Sequence, residues 1–200
     1  MKGIYAILDE SNFNFSSLEK SVEYMIKYNI KIFQIRIKSS FSKKNISIIK
    51  KIKFLCKNHK CLLILNDNVD LANELELDGV HVGSGDADIS SVRSTLGENK
   101  IIGVSCYNDI NLALSSEKLG ASYVSFGSLY KTTTKLNPIN LNISTVKNAS
   151  KILKIPICLI GGINTNNVHD VIKLNCDLIA ISKGLSSNNE IENISKIYYE

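Results

Sequence analysis

Residues 61–86 read CLLILNDNVDLANELELDGVHVGSGD, and the parsing of this stretch decides the fold. Residues 61–65 are a continuous apolar run of the kind that makes a strand buried on both faces, and the run stops at Asn66 and Asp67. Residues 69–75 then carry apolar positions at helical spacing, and residues 79–82 are a second apolar run that ends in Gly83-Ser84-Gly85-Asp86. The order is strand, helix, strand, with an acidic residue past the carboxyl end of each strand. Parallel neighbours place those ends on the same side of a sheet, so Asp67 and Asp86 are set to face each other and to hold one hard cation. A structural reading competes with this one: Asn or Asp after a strand is a good helix N-cap, and Asp86 suits that role for the following helix.

The same alternation continues in both directions. Apolar strand-like runs fall at residues 3–8, 31–35, 61–65, 79–82, 101–104, 123–126, 157–160 and 178–181. Amphipathic segments lie between them, at about residues 17–28, 43–57, 69–76, 89–96, 110–119, 141–153, 166–174 and 190–198. Eight strands, each followed by a helix, close most naturally into a (β/α)8 TIM barrel. The alternative, a doubly wound open sheet, usually has fewer strands and places a glycine-rich turn after the first one. Here Leu8 is followed by Asp9-Glu10-Ser11-Asn12.

Bulk features narrow the function classes. Two hundred residues without a Gly/Ser/Pro-rich linker are read as one domain, residues 1–200. Met1-Lys2-Gly3 leads directly into Ile4-Tyr5-Ala6, too short for a secretory signal, and no apolar run has membrane-spanning length. A soluble, cytoplasmic protein is expected. The five cysteines, Cys56, Cys61, Cys106, Cys158 and Cys176, lack CxxC spacing and mostly sit in apolar runs, which points to reduced thiols. Cys56, His59 and Cys61 match no standard zinc spacing. The net charge of +5 comes from lysines spread over helix faces, without an arginine-rich stripe or interleaved aromatics. That distribution argues against a nucleic-acid partner and leaves an anionic small substrate compatible. A homo-oligomer is equally compatible.

In a barrel the chemistry sits at the carboxyl ends of the strands, so the last residues of each strand are the candidates. Strand two ends in Gln34-Ile35-Arg36-Ile37-Lys38, whose alternation sends Gln34, Arg36 and Lys38 to one side. A forked donor and a point charge together suit a pyrophosphate, although charges are also common at a solvated strand exit. Strand five ends in Gly103-Val104-Ser105-Cys106-Tyr107, where Ser105 is either a ligand hydroxyl or an ordinary turn residue. The connection after strand six is the longest in the chain and contains Lys131-Thr132-Thr133-Thr134-Lys135, where three hydroxyls next to a lysine, Lys135, can wrap phosphate oxygens. A polar loop without function is the competing reading. Strands seven and eight end in Gly161-Gly162 and in Ile181-Ser182-Lys183-Gly184, the two places where backbone amides build the phosphate site recurrent in this architecture. His81 lies within a strand and is read as barrel filling or a local hydrogen-bonding group. The parts add up to a site for a Mg2+-bound pyrophosphate and a second, monophosphorylated ligand.

At this point the chain resembles the thiamine-phosphate synthases, barrel enzymes that join a pyrimidine to a thiazole. The resemblance is collinear: YAILD at Tyr5, QIRIK at Gln34, LND at Leu65, DGVHVG at Asp78, IIGVS at Ile101, Gly127 followed by TTTK, IGGIN at Ile160 and AIS at Ala180. It implies that Gln34, Arg36, Lys38, Asn66, Ser105 and Lys135 bind hydroxymethylpyrimidine pyrophosphate, with Arg36, Lys38, Ser105 and Lys135 acting in catalysis. It implies Asp67 and Asp86 as Mg2+ ligands, and Thr132, Thr134, Gly162, Ile181 and Ser182 as the holders of the thiazole phosphate. The reaction it implies needs no general base, because a pyrimidine cation forms as pyrophosphate departs and the thiazole nitrogen attacks it. Three departures from the family pattern stand out: Ser84-Gly85 in place of Gln-Glu, Lys131 in place of Pro, and Leu136 to Asn140 in place of a glycine-led acidic segment.

Two other functions fit parts of the pattern. The related TenI-type thiazole tautomerases tend to lack the aspartates and the TxTK element, and they carry a catalytic histidine where this chain has Tyr107. A non-catalytic thiamine-phosphate-binding protein would keep the pocket and bind the product without turnover.

Overall fold

A computed structural model describes residues 1–83, 88–131 and 141–200. Its strands are β1 (Gly3–Asp9), β2 (Ile32–Arg36), β3 (Leu62–Asn66), β4 (Gly79–Gly83), β5 (Ile101–Tyr107), β6 (Tyr123–Phe126), β7 (Ile157–Ile160) and β8 (Leu178–Ile181). The helices that follow them in turn are α1 (Leu18–Lys27), α2 (Lys43–Asn58), α3 (Val69–Glu74), α4 (Ile89–Leu96), α5 (Ile110–Lys118), α6 (Ile143–Ile152), α7 (Val168–Ile172) and α8 (Asn188–Tyr199). All strand pairs are parallel, and β1 pairs with both β2 and β8, which closes the sheet into a (β/α)8 barrel and excludes the open-sheet alternative. No helix among the described residues is long and apolar enough to cross a membrane.

Five strands run further than their apolar runs suggest. β1 continues to Asp9, β2 to Arg36, β3 to Asn66, β4 to Gly83 and β5 to Tyr107. Polar residues read as the start of a turn, but the parallel ladder holds them: Asp9 lies opposite Arg36, Asn66 opposite His81, and Ser105 opposite Gly83. Candidate side chains therefore stand on paired backbone instead of on free loops. Conversely α3 and α7 are shorter than the amphipathic pattern, with six and five residues.

Strand alternation sorts the core into two layers. Ile4, Ala6, Leu8, Phe33 and Ile35 face outward into the layer between sheet and helices, whereas Tyr5, Ile7, Ile32, Ile64, Tyr123, Cys158, Leu178 and Ala180 fill the barrel. α1 shows how a helix docks: Leu18, Val22, Met25 and Ile26 recur at spacings of four, three and one and are all buried. Truncating one of them, as in Leu18→Ala, costs about 2–5 kcal/mol. Inside the barrel Gly103 has a specific function, because a Cβ there would lie 2.1 Å from Cζ of Tyr123. The tyrosine ring occupies the space that glycine leaves.

Candidate active site

The carboxyl ends of the strands surround a cavity of about 810 Å³. Of the residues expected at the site, Gln34, Arg36, Asn66, Asp67, Ser105, Gly162, Ile181 and Ser182 all line it. Lys38 does not: β2 ends at Arg36, and Lys38, two residues beyond it, is exposed. Thr132, Thr134, Lys135 and Asp86 lie outside the described residues. Lys131, given no role by sequence, is part of the lining.

The competing capping role has a definite outcome for Asp67. Asn68 caps α3 by accepting from the Leu71 N–H, and Asp88 caps α4 by accepting from the Ser91 N–H. Asp67 is thus not the cap of its helix. It sits instead on the cavity lining with φ at 62°, and the Asn66 side-chain amide donates to its Oδ2 at 2.6 Å. Among the described residues six non-glycines have positive φ. Asn29, Lys60, Glu76 and Asn175 follow helix ends, where a left-handed residue is an ordinary terminator. The other two, Asp67 and Tyr107, both line the cavity, and a left-handed backbone costs a non-glycine on the order of 1–3 kcal/mol.

The cavity floor carries a chain of polar groups that joins the expected Gln34, His81 and Ser105 through two tyrosines, Tyr5 and Tyr123, that sequence reasoning missed. Gln34 Nε2 donates to the Tyr5 hydroxyl at 2.7 Å, and that hydroxyl is 2.9 Å from the hydroxyl of Tyr123. Tyr123 is 2.8 Å from Nδ1 of His81, whose Nε2 is 2.9 Å from Ser105 Oγ. We assign one direction to this chain: Tyr5 donates to Tyr123, Tyr123 to Nδ1, and the proton on Nε2 goes to Ser105. It gives each tyrosine hydrogen an acceptor, and it leaves the Ser105 hydrogen available to the cavity. Burial raises both tyrosine pKa values, so both stay protonated, as the chain requires. The available signal was the period of two in β1, which places Tyr5, Ile7 and Asp9 on the inner face.

Asp9 closes the β1 side of the site. Its carboxylate is buried and forms an ion pair with Nη1 of Arg36, while the Ser11 N–H and hydroxyl donate to Oδ1 at 2.9 and 2.5 Å. Burial pushes its pKa up, but the Ser11 hydrogen bonds and Arg36 outweigh that, and the net shift is downward. Beyond β1, Gly162 has φ at 65° and a Cβ there would lie 2.7 Å from the Lys131 carbonyl oxygen. Its carbonyl accepts from the side-chain amides of Asn164 and Asn167, at 3.2 and 3.0 Å. The Ser182 hydroxyl accepts from the Asn12 amide at 3.0 Å. Among the described residues the backbone N–H groups of Gly162 and Ser182 donate to no protein acceptor, which suits them to an anion.

Comparison with known proteins agrees with this geometry. The sequence model of one family, described as thiamine monophosphate synthase, matches residues 4–185. A thiamine-phosphate synthase of Nitrosomonas eutropha is 37% identical over 98% of this chain and 92% of its own length. A thiamine-phosphate synthase of Clostridium acetobutylicum is 33% identical over 98% and 93%. The solved structure of a thiamine phosphate pyrophosphorylase from Pyrococcus furiosus superposes with a TM-score of 0.84 at 29% identity, covering 97% of this chain and 94% of that one. With a family match over most of its length and near full-length relatives above 30% identity, the chain belongs to the thiamine monophosphate synthase family.

Proposed function

We propose that the chain condenses 4-amino-5-hydroxymethyl-2-methylpyrimidine pyrophosphate with hydroxyethylthiazole phosphate, or its carboxylated form, to give thiamine monophosphate and pyrophosphate in the cytoplasm. The observation that carries this reading is a single cavity with two anion-receptive walls, Arg36 on one side of β1 and Gly162 with Ser182 on the other. One wall takes the pyrophosphate and the other the thiazole phosphate. The methylene C–O bond breaks with its electron pair leaving on pyrophosphate, and the lone pair of the thiazole nitrogen forms the new C–N bond. Arg36 and Lys135 stabilise the charge that grows on the departing oxygens. Gln34 and Ser105, the two ends of the buried chain, fix the pyrimidine so that its methylene faces the thiazole.

Asp67 and Asp86 would hold Mg2+, which when bound neutralises charge on the pyrophosphate. The donor set fits that ion. Asp67 offers a hard, exposed carboxylate oxygen at the cavity, and Mg2+ uses one or two carboxylates, completing its shell with water and phosphate. Mass-spectrometric detection of thiamine monophosphate from both substrates tests the reading; binding of the product with no turnover would favour a non-catalytic role.

A further inference from the structure

We propose that the loop leaving β1, residues 9–12, is a positioning element that pre-orders one donor in each anion-receptive wall: Asp9 orients Arg36, and Asn12 orients Ser182. The inference rests on the reaction proposed above for its kinetic test, but its structural part stands apart from it.

The geometry starts from register. Asp9 is the last residue of β1 and lies directly opposite Arg36, the last residue of β2, so both side chains turn toward the inner face at the same height. A buried carboxylate is destabilising unless it is paired and hydrogen-bonded, and Asp9, 3% exposed, has both: two donors from Ser11 and the ion pair with Arg36. Only Nη1 of Arg36 is engaged among the described residues and Arg36 lines the cavity, so the rest of the guanidinium fork is left for a ligand there. An unanchored arginine explores many rotamers, whereas one held at a single nitrogen presents its remaining N–H groups in a fixed direction.

The next residues tie the loop down on both sides. Glu10 accepts the backbone N–H groups of Lys38 and Ser39 at 2.5 and 2.7 Å and the Ser39 hydroxyl at 2.6 Å, which fastens it to the segment after β2. The Glu10 N–H in turn donates to the Arg36 carbonyl at 3.1 Å. Asn12 reaches the other way, donating to Ser182 Oγ at 3.0 Å, so that the serine hydrogen is directed away from Asn12. Because β1 stands between β8 and β2, this loop adjoins both walls.

A positioning role has a kinetic mark distinct from lost charge. Asp9→Asn keeps the shape and removes a negative charge beside the arginine, so ground-state binding of pyrophosphate does not weaken. We expect kcat to fall on the order of tenfold or more while KM for the pyrimidine pyrophosphate changes little. In an Arg36→Ala background Asp9→Asn adds no further loss, because nothing remains to orient. Asn12→Ala raises KM for the thiazole phosphate and leaves that for the pyrimidine unchanged.

The reaction-independent readout uses the fact that the chain has two arginines, Arg36 and Arg93. Arg93 is held by five hydrogen bonds to Gly97, Glu98, Lys100, Gly120 and Ser122 and serves as the ordered reference. In protein labelled with 15N-arginine, the Arg36 guanidinium should show restricted rotation like that of Arg93, lost in Asp9→Asn and in Asp9→Ala. Should the alanine variant not fold, the asparagine variant alone decides. Free rotation of Arg36 in the wild type, or an Asp9→Asn loss that persists undiminished without Arg36, overturns the proposal. Absence of product from the wild type would refute the proposed reaction and leave the NMR result to decide the positioning role.

Discussion

The imidazole of His81 bridges Tyr123 and Ser105, with Nδ1 2.8 Å from the tyrosine hydroxyl and Nε2 2.9 Å from the serine Oγ. This relationship turns a serine at a strand end into a group of defined polarity. His81→Phe keeps a ring in place but leaves the Tyr123 hydroxyl without its acceptor in a buried setting. We predict a loss of stability of about 1–3 kcal/mol in urea unfolding. The kcat falls as well, and by no more than in Ser105→Ala, since His81 acts through the serine. A His81→Phe protein with unchanged stability and turnover would contradict the chain.

Arg36→Ala and Lys38→Ala separate the two cations of the QIRIK motif. Arg36 lines the cavity and Lys38 points to solvent. Loss of a charge-stabilising donor from a partly dry site costs on the order of 3 kcal/mol, roughly a hundredfold in rate, and we predict that size of effect for Arg36→Ala alone. Steady-state kinetics on the pair decides it, and an equal loss from Lys38→Ala would mean that Lys38 reaches the substrate once it is bound.

Much of this was legible before any coordinates. The alternation of short apolar runs with amphipathic segments gave the closed barrel, because eight buried strands with helical crossovers have few other ways to cover both faces. Strand ends then pointed to Gln34, Asn66, Asp67, Ser105, Gly162 and Ser182, all of which surround one cavity. His81, read as barrel filling or a local hydrogen-bonding group, is buried and hydrogen-bonded. Asp9, Tyr5 and Tyr123 were not found, for a physical reason. Their importance lies in contacts between strands far apart in sequence, such as Tyr5 with Tyr123, 118 residues away. Lys38, expected beside Arg36, lies two residues past the end of β2 and is exposed, outside the lining of this cavity.

Asp67→Asn and Asp86→Asn test the proposed Mg2+ site. Asparagine is chosen at position 67 because φ is 62° there, and alanine would add a backbone cost on the order of 1–2 kcal/mol that obscures the result. Each variant should lose turnover and need more Mg2+ for half-maximal rate while its melting temperature stays close to that of the wild type. Unchanged activity and unchanged Mg2+ dependence in both would remove the metal assignment.

The depressed pKa of Asp9 makes a pH-dependent contribution to stability. Burial opposes ionisation there, but the Ser11 and Arg36 interactions prevail, so the folded group holds its proton less tightly than the unfolded one. As pH falls, the unfolded chain binds the proton first. The contribution is therefore complete above the ordinary carboxylate pKa and is lost as pH drops through the lower folded value. Urea unfolding followed from neutral pH into acid should show a shallower acid limb for Asp9→Asn than for the wild type. Parallel limbs would mean that Asp9 is not ionised in the fold.

The most direct test of the whole account compares two incubations of the wild-type protein with Mg2+. In one the thiazole carboxylate phosphate is supplied alone, and in the other the thiazole phosphate is supplied with the pyrimidine pyrophosphate, and products are separated chromatographically. The account predicts thiamine monophosphate and pyrophosphate in equal amounts from the second incubation and no isomer from the first. Rapid isomerisation in the first, with no coupled product in the second, would contradict it.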